Sequence, residues 1–174
     1  MFSLNIGGEK IFFSDIKLEH LPLILKWYNK VDDFKFATGI DHPISLEQLT
    51  KKYAEVAICS NEFFVGINTR DENVMVGILK GRLEYKSKHI VWISSIVIDP
   101  DYQNRGLGSA AIELLLNHLK AYCSVKTAYL AVIEENVHGR AFWLKHGFQE
   151  MRKIENHLRL QDKQQNVYIM NKHI

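Results

Sequence analysis

The amino-acid sequence predicts an α/β (α+β) domain, a central mixed, twisted sheet of about seven strands flanked by about four helices. Segments rich in β-branched and aromatic residues alternate with stretches of three- and four-residue apolar spacing, in the order strand, two helices, three strands, helix, strand, helix, two strands. That order suits a mixed sheet with helices on its faces better than a strictly alternating parallel wind. The 174 residues hold three prolines and no Pro/Gly/Ser linker, internal repeat or low-complexity tract, so one domain over 1–174 is expected.

The elements follow in chain order. "KIFFSDI" (10–16) reads as a strand, and "LEHLPLILKWYN" places Leu18, Leu21, Leu25 and Tyr28 at helical spacing, with Pro22 tolerable only near the first turn. In "HPISLEQLTKKYAEVAI", Ser45 and Gln48 form a capping box ahead of Leu49, Tyr53 and Val56. "EFFVGINT" and "NVMVGILKGRLEY" flank the turn-like "RDEN" and read as a hairpin. "HIVWISSIVID" is a further strand, ended by Asp99-Pro100. Leu107, Ala110, Ala111, Leu114, His118, Leu119 and Tyr122 then mark a helix of about four turns. "TAYLAVI" is a strand, "NVHGRAFWLKHGF" a short helix opened near Asn136 and stopped by Gly147, and "QEMRKI" and "NVYIMNKHI" are final strands around a polar "ENHLRLQDKQQ".

Composition narrows the function. A net charge of +2 with both signs scattered forms no basic stripe, so nucleic acid is not an expected partner. No segment approaches the roughly 20 apolar residues of a membrane span, and the start lacks a signal-peptide pattern, which predicts a cytoplasmic protein without a membrane partner. Cys59 and Cys123 lie in apolar stretches and read as buried free thiols of a reducing compartment rather than a disulfide.

The chemistry concentrates in "DYQNRGLGSAA" (101–111), where a β-branched run gives way to a helix. A helix N-terminus presents unpaired N–H groups and the positive end of the macrodipole, a ready site for phosphate. Gly106 and Gly108 remove Cβ atoms that would obstruct a pyrophosphate, Arg105 could pair with a further phosphate, and Ser109 adds a hydroxyl. The alternative is a plain turn into a packed helix. Gly106 to Ala111 also fits the dinucleotide fingerprint G-x-G-x-x-G/A, but seven residues, "DPDYQNR", separate Ile98 from Gly106, and no acidic residue ends the next strand in the ribose-binding place.

Gln103, Gly106 and Gly108 in Gln-x-x-Gly-x-Gly, after a hydrophobic strand and an Asp-Pro turn, resemble motif A of the GCN5-related N-acetyltransferase (GNAT) family. "NVHGRAFWLKHGF" is similar to that family's second signature, and residues 1–60 look more weakly like the openings of aminoglycoside, polyamine or ribosomal-protein acetyltransferases. The resemblance implies acetyl-CoA as cosubstrate, no metal, and a sheet whose parallel strands splay at the cofactor. Ile96, Val97 and Ile98 would line the pantetheine arm through main-chain groups. Asn104, Arg105, Gly106, Leu107, Gly108 and Ser109 would cradle the pyrophosphate behind Gln103, and Asn136 would bond the pantetheine or cap its helix.

The implied reaction is attack of a neutral amine on the thioester, with Val97 or Ile98 N–H meeting the oxyanion. Trp143 stands where relatives often carry a proton-donating tyrosine, and an indole cannot take that role. Tyr102, Tyr129 and His138 are substitutes for the acid. Trp92 and Ala131 occupy the places where some relatives keep a glutamate, so His89, His42, Glu134 or Glu135 could end a water chain, and the catalytic residues are left unassigned. Asp32, Asp33 and Asp41, near Trp27, Tyr28, Phe34 and Phe36, would suit a cationic small-molecule amine such as an aminoglycoside or polyamine. The other readings are acetylation of a peptide or ribosomal-protein amine, a non-catalytic acyl-CoA-binding regulator, and a nucleotide-dependent oxidoreductase. Many relatives are dimers, so a homodimer is the expected assembly if the chain is not a monomer.

Overall fold

The β-branched and aromatic segments form seven strands: β1 (Ile11–Asp15), β2 (Glu62–Thr69), β3 (Met75–Glu84), β4 (Ile90–Ile98), β5 (Thr127–Ile133), β6 (Gln149–Leu160) and β7 (Lys163–His173). They make one sheet in the order β1-β2-β3-β4-β5-β7-β6 in a computed structural model that describes residues 1–84 and 89–174. The expected end of the third strand at Tyr85 lies outside the described residues. Neighbours are antiparallel except β4 and β5, which run parallel with α4 (Leu107–Cys123) as their crossover. The sheet is therefore mixed, as the element order predicts.

Five helices flank it: α1 (Leu21–Tyr28), α2 (Val31–Thr38), α3 (Leu46–Ala57), α4 and α5 (Val137–Lys145). Pro22 sits in the first turn of α1, so a 3-10 turn over Leu18–His20 precedes the helix and leaves Leu18 exposed. The capping box of α3 forms as expected: Gln48 N–H donates to Ser45 Oγ at 3.1 Å and Ser45 N–H to Gln48 Oε1 at 2.7 Å. The extra helix is α2. Only Phe34 on it is fully buried, so it carries no apolar stripe to read, and left-handed Gly39 ends it.

Alternate residues of the strands face opposite sides. On β2, Phe63 and Val65 join α4 in one apolar cluster while Phe64 joins α1 and α3 in the other. Each such fully buried aliphatic or aromatic side chain contributes about 1.5–3 kcal/mol. The polar segment expected between the last strands is itself strand. β6 and β7 join through Gln161 and Asp162, both left-handed, as a two-residue hairpin turn prefers. The mostly exposed edge strand β6 shows no alternation to reveal it.

Candidate active site

Pairing between β4 and β5 runs from Ile90↔Thr127 to Ile93↔Leu130 and stops, although both strands continue. A cleft of about 680 Å³ opens where they part. The cause lies at Ser94. On β3, Lys80 pairs with Ser95 but the next residue, Gly81, pairs with Ile93, so Ser94 is one residue too many. This bulge reverses the faces: Val91 and Ile93 pack with α4, whereas Val97 packs with α1 and α3.

The register beyond the bulge sorts the main-chain groups. Asp99 N–H donates to Val76 O at 2.8 Å, and in an antiparallel ladder hydrogen-bonded pairs alternate. Val97 thus spends its N–H and C=O on β3, while those of Ile96 and Ile98 face the edge that β5 has left. Of the two N–H groups expected to meet an oxyanion, that of Ile98 faces this edge and that of Val97 does not; the N–H of Ile96 faces it as well. Ile98 C=O is occupied, accepting from Gln103 Nε2 at 2.9 Å.

The loop after β4 is held at both ends. Asp99 accepts from Asp101 N–H at 3.1 Å and from Trp27 Nε1 of α1 at 2.7 Å. Asn104 and Gly106 take left-handed conformations, with φ of 60° and 77°. A Cβ on Gly106 would meet nothing within 4 Å, so glycine is needed there for conformation alone. Gly106→Ala should cost about 1–2 kcal/mol and lower Tm by roughly 2–8 °C, readable by differential scanning calorimetry. The first intrahelical bond of α4 runs from Ala110 N–H to Gly106 O at 3.0 Å, so Leu107, Gly108 and Ser109 carry N–H groups without an intrahelical acceptor. All three line the cleft, as do Gln103, Asn104 and Gly106. Arg105 does not: its guanidinium donates to Asp101 O at 2.7 Å and stacks on Tyr102, 4.9 Å from the ring centroid.

The opposite wall is α5. Asn136 Oδ1 caps it, accepting from Gly139 N–H at 2.9 Å, and Asn136 lines the cleft with His138 and Phe142. Trp143 is 7% exposed and packs edge-on against Phe142 and Phe148, a core residue with one surface on the cleft.

Most residues considered for proton transfer are committed elsewhere. Tyr102 lines the cleft, but its hydroxyl donates to Glu72 at 2.9 Å, and that bond raises its pKa. Tyr129 stacks on Trp92. His89 precedes the far end of β4, where the strands remain paired. His42 bonds Asp41. Glu134 takes Lys153 Nζ at 2.6 Å, Asn166 Nδ2 at 2.7 Å and Tyr168 OH at 2.9 Å. These bonds, Lys153's foremost, hold its pKa at about 2 instead of 4.5, so it is no base near neutrality. A carboxylate with a depressed native pKa stabilises the fold above its unfolded value and loses that contribution as pH falls toward about 2. Urea midpoints between pH 5 and pH 2, on the scale set by about 4.5 and about 2, should therefore fall less steeply for Glu134→Gln than for the parent.

The carboxylates expected around an acceptor divide. Asp33, Phe34 and Phe36 of α2 line the cleft, whereas Asp32 is 98% exposed beside Lys35. Asp41 accepts from Gln161 N–H at 2.7 Å, and Lys35 Nζ donates to Gln161 Oε1 at 2.8 Å, so α2 and the segment after it are tied to the β6–β7 turn across the split. Trp27 is core. Tyr28 lines a second chamber of about 350 Å³ on the α1 and α3 side of the sheet, which shares Ser94 and Ser95 with the cleft. Sequence reasoning did not find Lys80, Ser95 and Glu62 there, because neighbouring strands bring them together and local pattern does not. Cys59 and Cys123 are unpaired and half-buried, so the thiols are free but not fully covered as expected. Among the described residues no group of three or more His, Cys, Asp or Glu could hold a metal ion.

Known proteins share this fold. A spermidine N-acetyltransferase from Vibrio cholerae, solved with CoA and spermine, superposes with a TM-score of 0.83 at 17% identity over 95% of this chain and 96% of its own. An acetyl transferase from Salmonella typhimurium that modifies the N-terminal serine of a 50S ribosomal subunit protein gives the same TM-score and identity over 96% of each chain. In sequence, a spermine/spermidine N(1)-acetyltransferase of Bacillus subtilis (strain 168) is 36% identical over 59 residues, 34% of this chain and 39% of that protein. The match thus spans about two fifths of the curated relative's length. The profile of the "Acetyltransferase (GNAT) family" matches residues 25–148, and with the split strands and the glycine turn it establishes the lineage: this chain belongs to the GNAT acetyltransferase family.

Proposed function

We propose that the chain, taken as a single domain over 1–174, is an acetyl-CoA-dependent N-acetyltransferase acting on a primary amine of a polyamine-like small molecule. One observation carries the reading: the only parallel strands among the described residues part after Ile93 and Leu130, directly in front of the glycine turn that opens α4. A peptide-like pantetheine arm fits the free edge of β4, where Ile96 offers its C=O and Ile98 its N–H. The pyrophosphate fits the N–H groups of Leu107, Gly108 and Ser109, where the helix dipole favours negative charge. Asn136 and Phe142 close the other side.

Bound there, acetyl-CoA supplies an activated acyl group. The acceptor ammonium first gives one proton to solvent, its freed lone pair forms the C–N bond as the carbonyl π pair moves onto oxygen, and the return of that pair breaks the C–S bond. The nitrogen's second proton leaves with the sulfur, through water. A thiol pKa near about 8.5 makes sulfur a competent leaving group with little assistance, so Trp143 in place of an acid is no obstacle. The outward N–H of Ile96, farther from the glycine turn than that of Ile98, would stabilise the oxyanion without reorganising. Polyamine relatives in both sequence and structure support the acceptor class. Two unpaired cysteines accord with the cytoplasm as the proposed location.

The test follows free thiol during incubation of acetyl-CoA with spermidine, spermine, an aminoglycoside and a short peptide, with products weighed by mass spectrometry. Thiol release with a polyamine gaining one acetyl group is expected. Binding of acetyl-CoA without release for any amine would favour the regulator, and thermal stabilisation by NAD but not CoA would overturn the family's cofactor here.

A further inference from the structure

The second chamber holds polar groups that the fold itself does not use. Tyr28 is 7% exposed, and its hydroxyl has no hydrogen bond among the described residues. Ser95 Oγ is buried without a partner. Lys80 lies directly opposite Ser95 in the ladder, so both side chains stand on the same face, and both line the chamber. Unsatisfied polar atoms cost stability, so their persistence around a cavity points to a polar ligand.

The charges are graded outward from the bulge. Ser95 of β4 comes first, and Lys80 of β3 is one strand spacing of about 4.8 Å away; Phe64 of β2 lies across from Lys80, and Glu62 two residues along β2 stands diagonally beyond it, directly opposite Arg82, with Glu55 and Lys52 exposed on α3. Among the described residues no ion pair joins Lys80, Glu62, Glu55 or Lys52 to anything. The other titratable groups facing Lys80 across the chamber are Tyr28 of α1, Tyr53 of α3 and Cys59 of the turn after it. Tyr53 OH is committed to Ile16 O at 3.1 Å. The inner end holds one cation, Lys80; the outer end holds the carboxylates of Glu62 and Glu55 with Lys52 beside them, while Arg82, opposite Glu62, turns to Glu84 at 3.4 Å.

We infer that this chamber receives the acceptor, an aliphatic diamine or polyamine, with its trailing ammonium at Glu62 and Glu55 and its reacting nitrogen beside Ser95, where Lys80 keeps that nitrogen a free amine. The inference rests on the acetyltransferase reading above. A like charge beside a titrating group disfavours its charged form, so the ammonium of Lys80 promotes proton loss at the one nitrogen that must lose it. At the outer end the carboxylates favour the charged form of the nitrogen that does not react. One lysine and two glutamates would thereby choose which end of a symmetric diamine is nucleophilic.

The experiment compares spermidine with butylamine, a monoamine without a trailing charge. In Glu62→Gln, KM for spermidine should rise about tenfold, with KM for butylamine and acetyl-CoA unchanged. In Lys80→Met, the alkaline-going midpoint of the kcat–pH profile should move up by about one unit, and Lys80→Arg should restore it. A purely structural role for Lys80 would not move that midpoint. Lys80→Gln carries the same test should the methionine variant fail to fold, as judged by melting and CoA binding. An unmoved kcat midpoint, or an equal rise of KM for both amines in Glu62→Gln, overturns the inference while leaving the acetyltransferase reading in place. A parent enzyme that binds CoA and releases no thiol with any amine overturns that reading, and the inference with it.

Discussion

Gly108→Leu should abolish coenzyme binding at no cost to the fold. CoA affinity is expected to fall at least about 100-fold by isothermal titration, or about 2.7 kcal/mol, with Tm equal to or above the parent's. A Cβ at Gly108 meets Phe142 at 3.5 Å and Ile98 at 3.8 Å, ordinary contact distances, so the protein itself has room for it. Gly108 lies in the first turn of α4 with a helical φ, where leucine is intrinsically better than glycine by roughly 0.7 kcal/mol. What the larger side chain removes is the space between the helix N-terminus, Phe142 and Ile98, where the proposed site would bring the coenzyme's phosphates close to bare N–H groups. Unchanged CoA affinity in a folded variant would detach the glycine turn from coenzyme binding.

Trp27→Ala should be the most damaging stability change, about 3–5 kcal/mol, with Tm lowered by roughly 6–20 °C. Trp27 is 2% exposed in the cluster beneath α1 and α3, so truncation leaves a cavity. Its Nε1 also bonds the same Asp99 carboxylate that caps the 3-10 turn at Pro100–Tyr102. Coenzyme affinity should therefore weaken too, although Trp27 does not line the cleft. Trp27→Phe separates the effects, because it keeps most of the apolar volume and loses the hydrogen bond, for about 1–3 kcal/mol. Calorimetric melting with and without CoA reads both; equal coenzyme affinity in all three proteins would show that the tether does not shape the loop.

The sequence made β4, the glycine turn and α4 legible because their signals are local. A β-branched run, an Asp-Pro stop, two glycines and a helical apolar stripe lie within about thirty consecutive residues, and each has one physical reading. Ser45 and Gln48 show the same economy at α3. What stayed hidden depends on partners far along the chain. Ser94 looks like any small residue of a strand until its pairing with β3 shows a bulge, and that bulge alone assigns Val97 main-chain groups to β3 and those of Ile96 to the cleft. Arg105 has the charge a phosphate wants, yet Asp101 and Tyr102 hold it away. Glu134 is adjacent to plausible chemistry, but Lys153 and Tyr168 arrive from β6 and β7 to fix it as an anion. α2 escaped because one buried phenylalanine makes no stripe.

The ties from Lys35 and Asp41 to Gln161 span the gap that the parted strands leave. Lengthening the hairpin tip would therefore loosen α2 and the segment after it from the sheet before it altered any residue of the glycine turn.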